Sequence, residues 1–202
     1  MAKQNQHIEQ YLDAYCEMPN TDFAMMITGP WGCGKTYFIK EYLKDKEHLY
    51  VSLNGIDNPQ DINLAVFKAV FPVMDKKALS FLGRTAGAFV QAKWSVNLSE
   101  IISLSDFEAK VGDRLLVFDD LERCLLPLEK ILGSISGFVV ENKTKVVLVG
   151  EEGHLNQKTG DKYQIIKEKV IGKTFRLTER IDEIFDNVVS PEDYPATHAV
   201  NG

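Results

Sequence analysis

Eight consecutive residues, Gly29-Pro30-Trp31-Gly32-Cys33-Gly34-Lys35-Thr36, have the spacing G-x-x-x-x-G-K-[ST] (a Walker A pattern). Each position has a chemical reason. The glycines let the backbone wrap an anion with its N–H groups turned inward. Lys35 supplies a cation for β- and γ-phosphates, and the Thr36 hydroxyl is a ligand for Mg²⁺. The expected contact set for a nucleotide is Gly29, Pro30, Trp31, Gly32, Cys33, Gly34, Lys35, Thr36 and Tyr37. A phosphate loop also needs an acid elsewhere in the chain to share the metal. Leu115-Leu116-Val117-Phe118-Asp119-Asp120 provides one, four apolar residues leading into two carboxylates. Asp119 is expected to hold Mg²⁺ through water, and Asp120 to act as the base that polarises the attacking water. The same pattern also fits a strand followed by a helix whose first turn is capped by aspartates.

The elements around these residues agree with that chemistry. Phe23 to Thr28 reads as a buried strand running into the loop, and Lys35 to Lys44 as a helix leaving it, with Phe38, Ile39, Tyr42 and Leu43 at helical spacing. A helix starting near Gly34 aims its positive dipole end at a bound phosphate. An amphipathic helix carrying Ile8, Tyr11, Leu12 and Tyr15 precedes the loop strand. His48 to Leu53 is a second strand, and Asn58-Pro59 has the form of an N-cap followed by proline at the first helical position. That helix buries Ile62, Ala65, Val66 and Val70. Within residues 73–110, Leu79, Leu82, Ala86, Phe89 and Val90 suggest one helix. Arg114 to Asp120 is the acidic strand, Leu128 to Phe138 a strong helix, and Lys145 to Val149 a strand. One mixed helix is then expected to about Val170, with a short last strand over Thr174 to Leu177. Strands alternating with helices imply an α/β fold, a parallel sheet of about five strands covered on both faces.

Composition narrows the alternatives. The chain has 202 residues with 23 Lys+Arg against 29 Asp+Glu, a net charge of −6, which argues against bulk nucleic-acid binding. Lys162, Lys167, Lys169, Lys173 and Arg176 lie close together, but Asp161 and Glu168 sit among them, so a solvated helix face is expected. The cysteines, Cys16, Cys33 and Cys124, are odd in number and fit no metal spacing, which points to a reducing cytoplasm. No apolar run reaches the ~18 residues of a membrane span; Ala78 to Trp94 is broken by Arg84, Gln91 and Lys93. His7, His48, His154 and His198 form no constellation. Cys33 fits the loop as a small residue, or as a thiolate stabilised by the helix N-terminus. Two acids after the strand favour hydrolysis over transfer to a metabolite, and Arg114, Arg123, Arg176 and Arg180 are too scattered for a kinase lid.

Four segments together resemble the KAP family of P-loop NTPases, a branch of the AAA+/STAND-like ATPases. They are Gly29 to Thr36, Tyr50-Val51-Ser52-Leu53-Asn54-Gly55-Ile56, Phe118-Asp119-Asp120-Leu121-Glu122-Arg123-Cys124 and Lys167 to Phe175. The resemblance implies ATP with Mg²⁺, hydrolysis, and a sheet in which the loop strand neighbours the last strand while the acidic strand lies farther along. It also implies a bacterial, nucleotide-dependent switch or assembly module beside an effector, in some members one that excludes phage. The strand at 145–149 is then expected to end in a polar γ-phosphate sensor, for which Glu151 and Glu152, after Gly150, are the candidates; otherwise Glu151 caps the next helix. Arg123 is either an arginine finger for a neighbouring subunit or pairs locally with Glu122 or Glu129. The expected organisation is a domain over residues 1–190, with an insert at 73–110, and a polar tail at 191–202 that stops short of a C-terminal helical subdomain. Without that lid, turnover is expected to be slow. The partners implied are an adenine nucleotide and either a protein partner or the missing C-terminal region. Two alternatives remain, a nucleotide or small-molecule kinase and a nucleotide-dependent scaffold with little hydrolysis.

Overall fold

The computed structural model describes residues 5–72, 110–160 and 163–178. The expectations for the 73–110 insert, apart from Lys110, and for the tail lie outside the described residues. The described chain is an α/β fold around five parallel strands: β1 (Ala24–Thr28), β2 (His48–Ser52), β3 (Leu115–Asp119), β4 (Val146–Gly150) and β5 (Ile171–Arg176). Their order across the sheet is β2-β3-β4-β1-β5. Burial follows position. β1, β3 and β4 are covered on both faces and apolar almost throughout, whereas the edge strands β2 and β5 expose part of their side chains. The loop strand does neighbour the last strand, and β4 separates it from the acidic strand.

Two apolar layers hold the sheet. On one face lie α1 (Gln6–Glu17) and α2 (Lys35–Leu43), which bury Ile8, Leu12, Tyr15, Phe38, Ile39 and Leu43. On the other lie α3 (Pro59–Val70), α4 (Leu128–Ser136), α5 (Glu152–Thr159) and α6 (Tyr163–Lys167). α1 is pinned by Tyr15, whose hydroxyl donates to the Phe23 carbonyl at 2.8 Å and accepts the Val146 N–H at 3.0 Å. α3 starts as its sequence predicts: Asn58 Oδ1 accepts the Gln60 N–H at 3.0 Å, with Pro59 at the first helical position.

The helix after β1 and the helix after β4 pack on opposite faces, although the two strands are neighbours. The chains that leave their carboxyl ends therefore diverge and leave a crevice, the place where open parallel sheets bind ligands. The phosphate-loop sequence sits there.

Several local expectations change. The strand carrying the acids ends at Asp119; Asp120 turns into the left-handed region at φ 60° and starts a 3₁₀ turn, Leu121–Arg123. This turn is pressed against β4. A Cβ on Gly150 would lie 2.8 Å from Leu121 Cβ and 3.0 Å from Glu122 Oε2, so only glycine fits. The helix expected to reach Phe138 stays α-helical to Ser136 and then widens into a π turn, Gly137–Glu141. The single mixed helix after β4 is two helices, because Gly160, at φ 64°, ends α5. β5 starts at Ile171, not Thr174, because its backbone pairs with buried β1 from Ala24 onward. No helix among the described residues is long and apolar enough to cross a membrane.

Candidate nucleotide site at the carboxyl edge of the sheet

The loop between β1 and α2 has the form its sequence calls for. Gly32 and Gly34 take φ 83° and 85°, a left-handed backbone that strains any residue with a Cβ. Gly34 is the N-cap of α2 and offers no side chain, so the first-turn N–H groups of the helix are left for an anion. Lys35 bends back over its own loop and donates to the carbonyls of Gly29 at 2.8 Å and Pro30 at 3.0 Å. Cys33 is buried inside the turn, which fits its role as a small packed residue. Trp31 stands 77% exposed at the apex, and Tyr37 is exposed on the first turn of α2.

The acidic strand meets this loop directly. Thr36 Oγ1 donates to Asp119 Oδ2 at 2.8 Å. Asp119 is only 2% exposed, and a buried carboxylate needs donors. It has three: Thr36 and Tyr50 hydroxyls on Oδ2, and the Asp120 N–H on Oδ1 at 2.7 Å. Burial, and then the hydrogen bond to Asp119, push the Tyr50 phenol well above its usual range, so it stays a protonated donor.

Asp120 is held differently. Its Oδ2 accepts from Ser52 Oγ at 2.7 Å, and its Oδ1 faces Arg123 Nε at 3.6 Å. Arg123 also lies over the Trp31 ring, 5.2 Å from its centroid. Local pairing is therefore the reading realised for Arg123, but with Asp120 and Trp31 in place of Glu122 or Glu129. The guanidinium links the loop apex to the acid turn.

Glu151 follows β4 and occupies the N-cap position of α5, but its side chain accepts no capping hydrogen bond. Its backbone N–H donates to Glu122 Oε2 at 3.1 Å, and its carboxylate faces His154 Nδ1 at 3.8 Å. It lines a cavity of about 380 Å³ together with Thr28, Gly29, Pro30 and Arg176. It thus borders the start of the loop, on the side of the crevice away from α2. Next to it, Glu152 accepts from Lys167 Nζ at 2.5 Å and from Tyr163 at 3.1 Å, while its N–H donates to Thr28 Oγ1 at 2.9 Å. Lys167 is therefore largely buried in an ion pair and does not lie on the solvated face expected for it.

Tyr50 and Ser52 were not legible as site residues. The segment around them stands out in the sequence, but nothing local says that a phenol and a hydroxyl on β2 meet the two acids of β3. The donor set suits Mg²⁺. Thr36 and Asp119 present hard oxygen ligands in contact with each other, and the ion ordinarily takes one or two carboxylates, waters and phosphate oxygens in place of an all-protein cage. No cluster of three or more His, Cys, Asp or Glu side chains that could hold a metal alone is found among the described residues.

Residues 4–84 match the model of the KAP family P-loop domain. No curated protein matches the chain. Among solved structures, that of Cdc6p from Pyrobaculum aerophilum aligns with a TM-score of 0.50 and 17% identity, over 94% of this chain and 49% of that one. The structure of Bacteroides sp Pif1 in complex with ADP-AlF4 aligns at 0.42 and 14% identity, over 95% of this chain and 47% of that one. The chain thus spans about half the length of these solved structures. The likeness to Cdc6p at this identity speaks for the fold. Residues 4–84, which carry the loop, are thus similar to the KAP family P-loop domain, and the α/β sheet brings the acidic strand to that loop.

Proposed function

We propose that this chain binds ATP with Mg²⁺ and hydrolyses it, and that its nucleotide state works as a switch or assembly signal for a protein partner. The observation that carries the reading is the 2.8 Å hydrogen bond from Thr36 Oγ1 to Asp119 Oδ2, which joins the phosphate loop to the acidic strand at the crevice. The loop N–H groups and the start of α2 take the phosphates. Lys35, now satisfied by two loop carbonyls, turns to the β- and γ-oxygens. Thr36 and Asp119 would hold Mg²⁺, which neutralises charge on the transferring phosphate when bound. Asp120 is the base that takes the proton of the attacking water, and Glu151 a second carboxylate bordering the loop.

The geometry around Asp120 supports slow turnover. Both of its oxygens are engaged, by Ser52 and by Arg123, so it must leave at least one partner before it can accept a proton from water. A rate well below the common median of about 10 s⁻¹ follows. The test is calorimetry with ATP and Mg²⁺, with phosphate release on the same samples, for the wild type and Lys35→Ala. Charged hydrogen bonds contribute about 1.5–3 kcal/mol, so Lys35→Ala should weaken ATP by roughly tenfold or more and abolish phosphate release. Unchanged affinity would remove the phosphate-loop assignment. Normal affinity with no phosphate release by the wild type would leave a nucleotide-binding scaffold.

A further inference from the structure

We propose that Tyr50 is a positioning residue of the Mg²⁺–nucleotide site, fixing the one Asp119 oxygen that Thr36 also uses. The proposal rests on reading that site as one for Mg²⁺ and ATP, and concerns a residue on a strand outside the loop and acid motifs.

Register puts Tyr50 there. β2 pairs with β3 so that Ser52 lies beside Asp119 and Tyr50 beside Val117. Side chains alternate along a strand. Leu49 and Val51 accordingly enter the core under α3 and α4, while Tyr50 packs with the cluster under α1 and α2, the face covered by the helix whose first turn carries Thr36. The ring is held from above by α2, with Lys40 Nζ 5.1 Å from its centroid. From that seat the hydroxyl reaches forward along the strand and donates to Asp119 Oδ2.

The chosen oxygen matters. Oδ1 is committed to the Asp120 N–H, so Oδ2 is the one turned to the loop, and it accepts from both Thr36 and Tyr50. A Thr36 oxygen that ligates a cation must still place its proton, and Asp119 Oδ2 is its acceptor. Tyr50 fixes that acceptor in place whether or not the nucleotide is present. With the phenol hydroxyl removed, a buried carboxylate loses one of its three donors and is free to rotate away from Thr36. The cost falls on the metal-dependent part of nucleotide affinity. Phosphate contacts made by the loop itself are untouched.

The experiment is ATP binding by calorimetry to the full chain, with Mg²⁺ and with EDTA, for the wild type, Tyr50→Phe, Tyr50→Leu and Asp119→Ala, with thermal melting of each. The readout is the ratio of the two dissociation constants. One hydrogen bond to a charged group predicts that Tyr50→Phe lowers this ratio by about tenfold, with metal-free affinity unchanged. Tyr50→Leu, which removes the hydroxyl and repacks the edge strand differently, must lower it as well. A wild-type ratio in either folded variant overturns the proposal. Failure of the underlying reading looks different: the wild type then shows no Mg²⁺ dependence, or Asp119→Ala keeps the full ratio, and the role of Tyr50 falls with it. A ratio lost in Asp119→Ala but kept in both Tyr50 variants overturns the proposal alone.

Discussion

Two neighbouring strands of this sheet each end beside a pair of acids, and the pairs are used in opposite ways. After β3, Asp119 and Asp120 take hydroxyl groups from other strands and from the phosphate loop: Thr36 and Tyr50 on the first, Ser52 on the second. After β4, Glu152 is tied into the fold by Lys167 and Tyr163, and the Glu151 carboxylate faces His154 of its own helix. Residue type and position at the sheet edge are nearly the same in the two pairs. What differs is the closest donor, a hydroxyl in the first pair, where Arg123 faces Asp120 only at 3.6 Å, and the Lys167 ammonium in the second. Hydroxyls leave the carboxylate charge in place, and such charge can meet a metal or a water. An ammonium at 2.5 Å consumes it. Acidity at the carboxyl edge is therefore a poor guide to chemistry until the partners of each carboxylate are known.

The strongest way to break this contrast is Asp120→Asn. It keeps the size and the Ser52 contact and removes the proposed base, so phosphate release should fall by ~10²–10⁴ with ATP affinity retained. Unchanged release in a folded variant would move the base across the crevice to the other pair. A smaller effect of another kind is expected from Glu152→Gln. Lys167, largely buried, would face a neutral partner, at about 1–3 kcal/mol, which in a chain of this size lowers the melting temperature by several degrees, with nucleotide affinity and release little changed. Loss of turnover in a stable Glu152→Gln protein would show the second pair to be functional after all. The smallest effect belongs to Glu151→Gln, because a carboxylate set toward His154 on the far side of the crevice is a subsidiary group. Its loss of phosphate release should stay below the ~10²-fold that marks a positioned base. A loss matching Asp120→Asn would exchange the two roles.

What the sequence revealed and what it hid divides by range. The phosphate loop and the acidic strand were legible because each is one continuous run whose chemistry and burial are set by residues next to one another. Asn58-Pro59 was legible for the same reason. Tyr50 and Ser52 were not. Their importance depends on the register of β2 against β3, fixed by packing of the whole sheet and unmarked in the five residues of the strand. The partner of Arg123 was hidden in the same way. Acids one and six residues away were as reasonable as Asp120 until the left-handed turn at Asp120 brought that carboxylate round. The extra length of β5 and the break at Gly160 follow one rule: pairing with a buried strand extends weak strand formers, and a single left-handed glycine ends a helix whose apolar pattern runs on.

The close fit of Gly150 against Leu121 carries a consequence for time. The turn bearing Asp120 is anchored on both sides, by Leu121 packed on β4 and by Glu122 accepting the Glu151 N–H. Its backbone has little room to swing. The freedom that remains lies in the Asp120 side chain, which can exchange Ser52 or Arg123 for another partner by turning about its own bonds. Such rotations in accessible side chains take picoseconds to nanoseconds, against microseconds to milliseconds for collective closure. Re-aiming the acid is therefore fast, and it lowers turnover only through the small share of time that Asp120 spends free of its partners, as a rapid equilibrium ahead of the slow step.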